Sequence, residues 1–179
     1  RIKEVAGRDF PITLRISGFE RLPGGRASTD TARIAPLLVE AGVDAFHVSG
    51  GTSDRTVSEI VCGHEWPDGY NVPQAEALKR AVDVPVMVVG RIHDPEKAER
   101  ILQAEKADLI VMARPLLADP ELPAKVALRR FDDIRRCISC QNCIDSMFLW
   151  PVDSKMACAV NAASGRELRM RYEKAATPR

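Results

Sequence analysis

Four of the five cysteines crowd into 22 residues, and no other part of the chain carries so much potential chemistry. Cys137, Cys140, Cys143 and Cys158 read C-x2-C-x2-C-x14-C. Three thiolates spaced by two residues suit three corners of an iron–sulfur cube, with a distal fourth completing the set. Structural zinc favours two separated C-x2-C knuckles, a pattern this stretch lacks. The spacing therefore favours a [4Fe–4S] cluster; a zinc-stapled binding module without redox function is the alternative. Arg135 and Arg136, beside the first cysteine, would offset thiolate charge. Cys62 stands apart. Clustered thiols without a secretory signal predict a reducing, cytoplasmic setting.

A second set of polar residues closes apolar runs. Val89-Gly90-Arg91 and Met112-Ala113-Arg114 end two of them alike. Backbone N–H groups and helix N-termini at such positions bind phosphate, with Gly90 permitting close main-chain approach and Arg91 and Arg114 adding forked donors. The alternative is that each arginine pairs with a carboxylate such as Asp94 or Asp119. Arg15 lies between Leu14 and Ile16, so its charge is expected to be buried and to need an acceptor. An electron-rich flavin edge is one candidate, and an ordinary ion pair is the other.

These residues need a scaffold, and the chain supplies one unit four times. Apolar runs over 10–17, 44–49, 84–89 and 107–112 predict strands, the third buried on both faces. A helix is predicted from Ser28 or Thr29 to Gly42, with Ile34, Leu37, Leu38 and Ala41 inward. Others follow over 74–81, from Asp94-Pro95 with Ala98, Ile101 and Leu102 inward, and from Asp119-Pro120 to about Arg130. Such alternation gives a parallel sheet with right-handed crossovers. Residues 18–25 lack the glycine fingerprint of a doubly wound nucleotide-binding sheet. Polar residues gather instead at the C-terminal ends of all four strands, where barrel enzymes keep their chemistry. The expected class is α/β: the C-terminal half of a (β/α)8 TIM barrel over 1–131, an iron–sulfur segment over 132–165, and a linker over 166–179.

At 179 residues the chain is too short for a whole eight-stranded barrel, and its opening Arg1-Ile2-Lys3-Glu4 reads as mid-helix, a piece of a longer protein. Twenty-six basic against 25 acidic side chains leave a charge of +1, which gives no case for nucleic acid or an anionic membrane as partner. With 45% hydrophobic and 28% charged residues the composition is that of a soluble globular protein. No apolar run approaches the roughly 18 residues of a membrane span. A homo-oligomer is compatible with the sequence, which does not decide the point.

The run Ile12-Thr13-Leu14-Arg15-Ile16-Ser17, the Val89-Gly90-Arg91-Ile92 turn, and the stretch from Ala107 through Arg114-Pro115 to Asp119-Pro120 resemble the Old Yellow Enzyme superfamily. With Cys137-Ile138-Ser139-Cys140-Gln141-Asn142-Cys143 attached, the resemblance is to its iron–sulfur branch: 2,4-dienoyl-CoA reductase, enoate reductase and trimethylamine dehydrogenase. It covers about residues 5 to 165. It implies FMN, with Arg15 near the ring and Gly90, Arg91, Ala113 and Arg114 at the phosphate, and a [4Fe–4S] cluster on Cys137, Cys140, Cys143 and Cys158. It also implies a following FAD- and NAD(P)H-binding region, and reduction of an activated C=C bond in an enoyl or enone small molecule. Amine oxidation is the alternative within the family. The family's proton-donating Tyr would lie in the preceding half-barrel, so no catalytic residue is assigned. Two features depart from dienoyl-CoA reductases. Thr52-Ser53-Asp54 stands where they carry a histidine, with His47 expected in the core and His64 at the surface. The two-residue gap between Cys140 and Cys143 is more like trimethylamine dehydrogenase.

Overall fold

A computed structural model describes residues 1–148 and 156–170. The chain forms two compact units, Arg1–Met112 and Ala113–Arg179. The first runs α1 (Ile2–Ala6), β1 (Thr13–Ser17), α2 (Ser28–Glu40), β2 (Ala45–Ser49), α3 (Val57–Ile60), α4 (Val72–Lys79), β3 (Val86–Val88), α5 (Pro95–Gln103) and β4 (Leu109–Ile110). The four strands are all parallel and lie in the order β1-β2-β3-β4. A doubly wound sheet reverses its order at a switch point. The order here never reverses, which is the winding of consecutive βα units in a barrel.

Alternation along the strands separates two faces. Ile16, Phe46, Val48, Val86 and Val88 are buried in one core with Ala35 of α2, Ala75 and Leu78 of α4, and Ala98 and Ile101 of α5. The register places Arg15 beside His47 and His47 beside Met87 on the opposite face. There Arg15 is exposed and His47 and Met87 are only half-buried. Arg15 lies on the sheet face that carries no helices, and β3 is covered by helices on one face alone, so among the described residues the predicted burial of Arg15 and of both faces of β3 is not observed.

A repeated device ties the N-terminal strand ends. Asp44, just before β2, accepts from Ile12 N at 2.7 Å and from Lys3 Nζ at 2.7 Å. Asp108, just before β4, accepts from Val86 N at 2.8 Å and from Lys79 Nζ at 2.8 Å. Each carboxylate thus joins the start of one strand to its neighbour, and both are held below the usual carboxylate range. For Asp44 the Lys3 hydrogen bond is the main cause. For Asp108, burial pushes up but the bonds from Lys79 and Val86 N outweigh it.

Predicted caps and faces are kept in part. Helix α2 begins at Ser28 with Ala27 at its N-cap, so the predicted Ser28 or Thr29 cap is corrected, because Asp30 instead accepts from Ala27 N. Asp94 Oδ1 accepts from Glu96 N at 3.0 Å, with Pro95 opening α5 as the sequence suggests. In α2, Ile34 and Leu38 pack against the core as predicted, with Ala35 and Thr31 fully buried beside them, while Leu37 is 62% exposed. Thr31 Oγ1 donates to Ser17 O at 3.2 Å and so anchors this face to the end of β1.

The second unit contains α6 (Arg114–Ala118), α7 (Leu122–Ala127), a 3-10 turn (Phe131–Asp133) and α8 (Asn142–Phe148). The predicted helix from Asp119 to Arg130 is shorter, and α6 before it was not foreseen. Asp119 ends α6, while its Oδ1 accepts from Glu121 N at 3.1 Å, so one residue both closes a helix and opens the next turn. Among the described residues no helix is long and apolar enough to cross a membrane.

Candidate functional site

In the first unit, the C-terminal strand ends are organised around Asn71, a residue the sequence reading did not single out. Its side chain is fully buried. Nδ2 donates to Val89 O at 2.8 Å, and Oδ1 accepts from Arg21 at 3.3 Å. A Cβ on Gly50 would stand 2.6 Å from Asn71 Oδ1, and one on Gly90 would stand 2.7 Å from its Nδ2. Glycines after β2 and after β3 therefore leave room for one amide between them. Arg21 lies 3.8 Å above the Tyr70 ring and 3.5 Å from Glu59. Burial first, with Glu59 also contributing, pushes the Tyr70 phenol up to about 12, so it stays protonated at neutral pH.

Arg15 stands on the open face of the sheet. It donates to Ser49 Oγ at 3.0 Å, and its NH1 lies 3.3 Å from His47 Nε2. No carboxylate of the described residues pairs with it. His47 belongs to the same open face rather than to the core; burial, then the Arg15 charge, lowers its pKa. The ring is therefore neutral at pH 7 and able to accept from the arginine. His64 is exposed, as expected, and Thr52-Ser53-Asp54 shows no histidine-like substitute.

Arg91 is committed differently. Its guanidinium donates to Asp68 Oδ1 at 2.8 and 3.1 Å and to Gly63 O at 2.6 Å. Burial acts to raise Asp68, but Arg91 and Lys97 outweigh it and the carboxyl sits below its usual range. The carboxylate-paired alternative is the observed one, with Asp68 in place of Asp94. Gly90 has φ +143° and Arg91 φ +48°, so the turn uses two left-handed residues in succession.

In the second unit, Cys137, Cys140, Cys143 and Cys158 line one hollow, together with Arg114 and Leu117. Ser139 and Gln141 have φ of 55° and 63°. These two left-handed residues flank Cys140 and coil the C-x2-C-x2-C run into a tight loop that turns its thiols to one side. Cys143 then falls in the first turn of α8, with Ile144 N and Asp145 N both donating to Gln141 O. Burial pushes the Cys143 thiol up, and Arg114 counteracts part of that. Arg114 NH1 donates to Gln141 Oε1 at 3.1 Å. Ala113 is the residue before α6, and its carbonyl accepts from Leu116 N and Leu117 N. Among the described residues no three His, Cys, Asp or Glu side chains converge on a point fit for a single metal ion.

The segment leading into this loop is clasped by charge. Asp119 is fully buried, and its Oδ2 accepts from Lys125 Nζ at 2.6 Å and from Arg135 N at 2.9 Å. Lys125 also donates to Asp133 O at 3.0 Å, and Arg135 Nε to Ala118 O at 3.2 Å. Burial raises the Asp119 pKa, but the Lys125 bond and two backbone N–H groups prevail and lower it. Sequence alone marked Asp119 as a helix opener and a candidate arginine partner; nothing in the local pattern couples it to a residue 16 positions away.

Comparison with known proteins fits this geometry. The profile of the NADH:flavin oxidoreductase / NADH oxidase family matches residues 1–133. The chain is 39% identical over 171 residues to a metal reductase of Desulforamulus reducens, across 94% of this chain and 25% of that protein. It is 35% identical over 189 residues to a cinnamate reductase of Clostridium sporogenes, across 97% of this chain and 28% of that protein. A solved 2-naphthoyl-CoA reductase, in complex with 2-naphthoyl-CoA, matches with TM-score 0.83 and 28% identity, over 94% of this chain and 25% of that one. The chain spans about a quarter of the length of the curated relatives it matches.

Proposed function

Because this chain belongs to the NADH:flavin oxidoreductase / NADH oxidase family, we propose that it is part of a flavin-dependent oxidoreductase that reduces an activated C=C bond of an enoyl or enone compound with electrons from NAD(P)H. The cofactors in this reading are FMN, a [4Fe–4S] cluster and, elsewhere in the polypeptide, FAD. One observation carries it: four cysteines from two separate stretches line a single hollow. When bound, flavin supplies hydride transfer and the cluster supplies one-electron transfer.

The residues present fit a cluster better than a lone ion. Zinc needs four sulfurs about 2.3 Å from one centre, and the described thiols do not converge that way. They ring one shared hollow, with Arg114 among its lining residues. Cys137, Cys140, Cys143 and Cys158 would be the ligands, and Arg114 would offset part of their combined negative charge.

On the sheet, Arg15 offers an exposed guanidinium without a carboxylate partner, and Ser49 and neutral His47 hold its orientation. That suits stabilisation of negative charge on a flavin ring. Since the Arg91 side chain is occupied by Asp68, Gly90 and Arg91 would meet phosphate through main-chain N–H groups. Ala113 and the Arg114 main chain keep the phosphate role that the family resemblance implies. Relatives are named both as reductases, of cinnamate and of 2-naphthoyl-CoA, and as dehydrogenases of dimethylglycine and dimethylamine, so amine oxidation stands as the second reading.

The test is anaerobic purification of the protein from its complete open reading frame, followed by iron, sulfide and flavin analysis. Iron and sulfide in equal amounts, with NAD(P)H oxidation driven by a cinnamate-type enoate, is the expected result. One zinc and no iron per chain would remove the cluster. Flavin reduction by a tertiary amine, without enoate turnover, would move the assignment to amine dehydrogenation.

A further inference from the structure

The fourth cysteine poses a geometric problem that the spacing alone does not solve. Cys137, Cys140 and Cys143 are gathered by one tight loop, but Cys158 arrives from the far side of a fourteen-residue gap. Something must hold its approach. Two side chains of α8 do so through the residue just before it. Asn142 Nδ2 donates to Ala157 O at 3.1 Å, and Ser146 Oγ accepts from Ala157 N at 3.0 Å. Asn142 and Ser146 are four residues apart, hence on one side of the helix. Together they satisfy both polar groups of the Ala157 main chain, as a neighbouring strand would.

The direction of the Ser146 bond is fixed by its other partner. Its hydroxyl proton goes to Cys143 O at 3.1 Å, which leaves an oxygen lone pair for Ala157 N. Ser146 is itself buried, so water competes poorly for either bond. One hydroxyl thus links the carbonyl of the third cysteine to the amide preceding the fourth.

We propose that Asn142 and Ser146 are positioning residues that hold Cys158 in the ligand set, an inference that rests on the cluster reading above. Groups that orient ligands from behind matter nearly as much as the ligands, and their loss typically costs about 10- to 100-fold in metal affinity. The effect here falls chiefly on the Cys158 corner, because both clasp bonds end on Ala157, whereas Cys143 is also held by the α8 backbone and the Ser146 bond to its carbonyl lies within that helix. Its loss should therefore free one iron selectively rather than empty the site.

The experiment uses the anaerobically purified protein from the complete open reading frame, comparing wild type with Asn142→Ala, Ser146→Ala and Ser146→Thr. Iron release to a chelator is followed together with electron paramagnetic resonance after mild ferricyanide oxidation, flavin content serving as the check on folding. Ser146→Ala and Asn142→Ala should release a first iron at least about tenfold faster than wild type, with a three-iron signal appearing. Ser146→Thr keeps the hydroxyl and should behave as wild type. Wild-type release kinetics in both alanine variants would overturn the inference while leaving the cluster intact. So would loss of all iron at once with falling flavin content and no recovery in Ser146→Thr, since that marks a merely structural role. A wild-type protein devoid of iron would overturn the cluster reading itself, and this inference with it.

Discussion

Gly90→Ala is the substitution whose cost can be worked most fully from the geometry. The residue has φ +143°, a conformation that only glycine adopts without strain, and holding alanine there costs about 1–3 kcal/mol. The new methyl would also stand 2.7 Å from Asn71 Nδ2, which is buried and cannot swing into solvent. Moving that amide breaks its 2.8 Å bond to Val89 O and leaves a buried carbonyl unsatisfied, about 1–3 kcal/mol more. The sum is about 2–6 kcal/mol, or at least about 4 °C in thermal midpoint for a domain of barrel size. Denaturant unfolding of Gly90→Ala, Asn71→Ala and the double variant measures the two parts separately. In the double variant the clash has no partner and the Val89 bond is lost once rather than twice. The double variant should therefore be more stable than the sum of single effects by about 1–3 kcal/mol. Additivity within about 0.5 kcal/mol would refute the contact between Gly90 and Asn71 as the reason glycine is required.

Three further outcomes are expected. Lys125→Met leaves the Asp119 carboxylate buried without its cation and should destabilise by about 3–5 kcal/mol. Asp119→Leu/Lys125→Met removes the stranded charge but leaves Arg135 N and Glu121 N without their acceptor, so its loss should fall short of the sum of the two single losses while keeping it below wild type, both read from denaturant midpoints. Asp108 and Asp119 have folded pKa values below the ordinary Asp value of 3.8, so their stabilisation is full above that value. It is lost as pH falls through the lower folded values, and denaturant midpoints measured from pH 6 downward should fall most steeply in that acid range. His47 should titrate below its ordinary 6.5 by NMR, and Arg15→Met should raise the midpoint only in part, because burial is the larger cause.

The elements legible in sequence are those set by local rules. Asp94-Pro95 announces α5 because a cap and a fixed φ act within a few residues. The four strands were legible because their apolar runs are short and bounded, although β4 shrinks to two residues. What was not legible depends on partners far along the chain. Thr31 is anchored to Ser17 O, 14 residues away. Asn71 sits between two glycine turns that are 40 residues apart. Asn142 and Ser146 carry no signal of their own in the sequence, and their role depends on Ala157, 15 and 11 residues away. Cysteine spacing is legible for Cys137, Cys140 and Cys143, which lie on one local loop, while the approach of Cys158 depends on contacts that the interval does not encode.

Arg91 and Arg114 show how far equivalent strand-end motifs can diverge. Gly90-Arg91 turns through two positive φ values, and Arg91 then meets Asp68, so its charge is largely neutralised. Ala113-Arg114-Pro115 instead passes directly into α6, with proline in the first turn setting the helical φ. Arg114 there bonds the neutral oxygen of Gln141, and no carboxylate of the described residues pairs with it. Of two arginines that read alike, only Arg114 keeps an uncompensated charge, and it keeps it beside four thiols. A planar guanidinium holds Gln141 with one N–H and still faces the hollow with others, which the single ammonium of lysine cannot do from the same backbone position. Under the cluster reading proposed above, Arg114 would offset part of the charge of four thiolates, a role that the strand-end pattern does not announce.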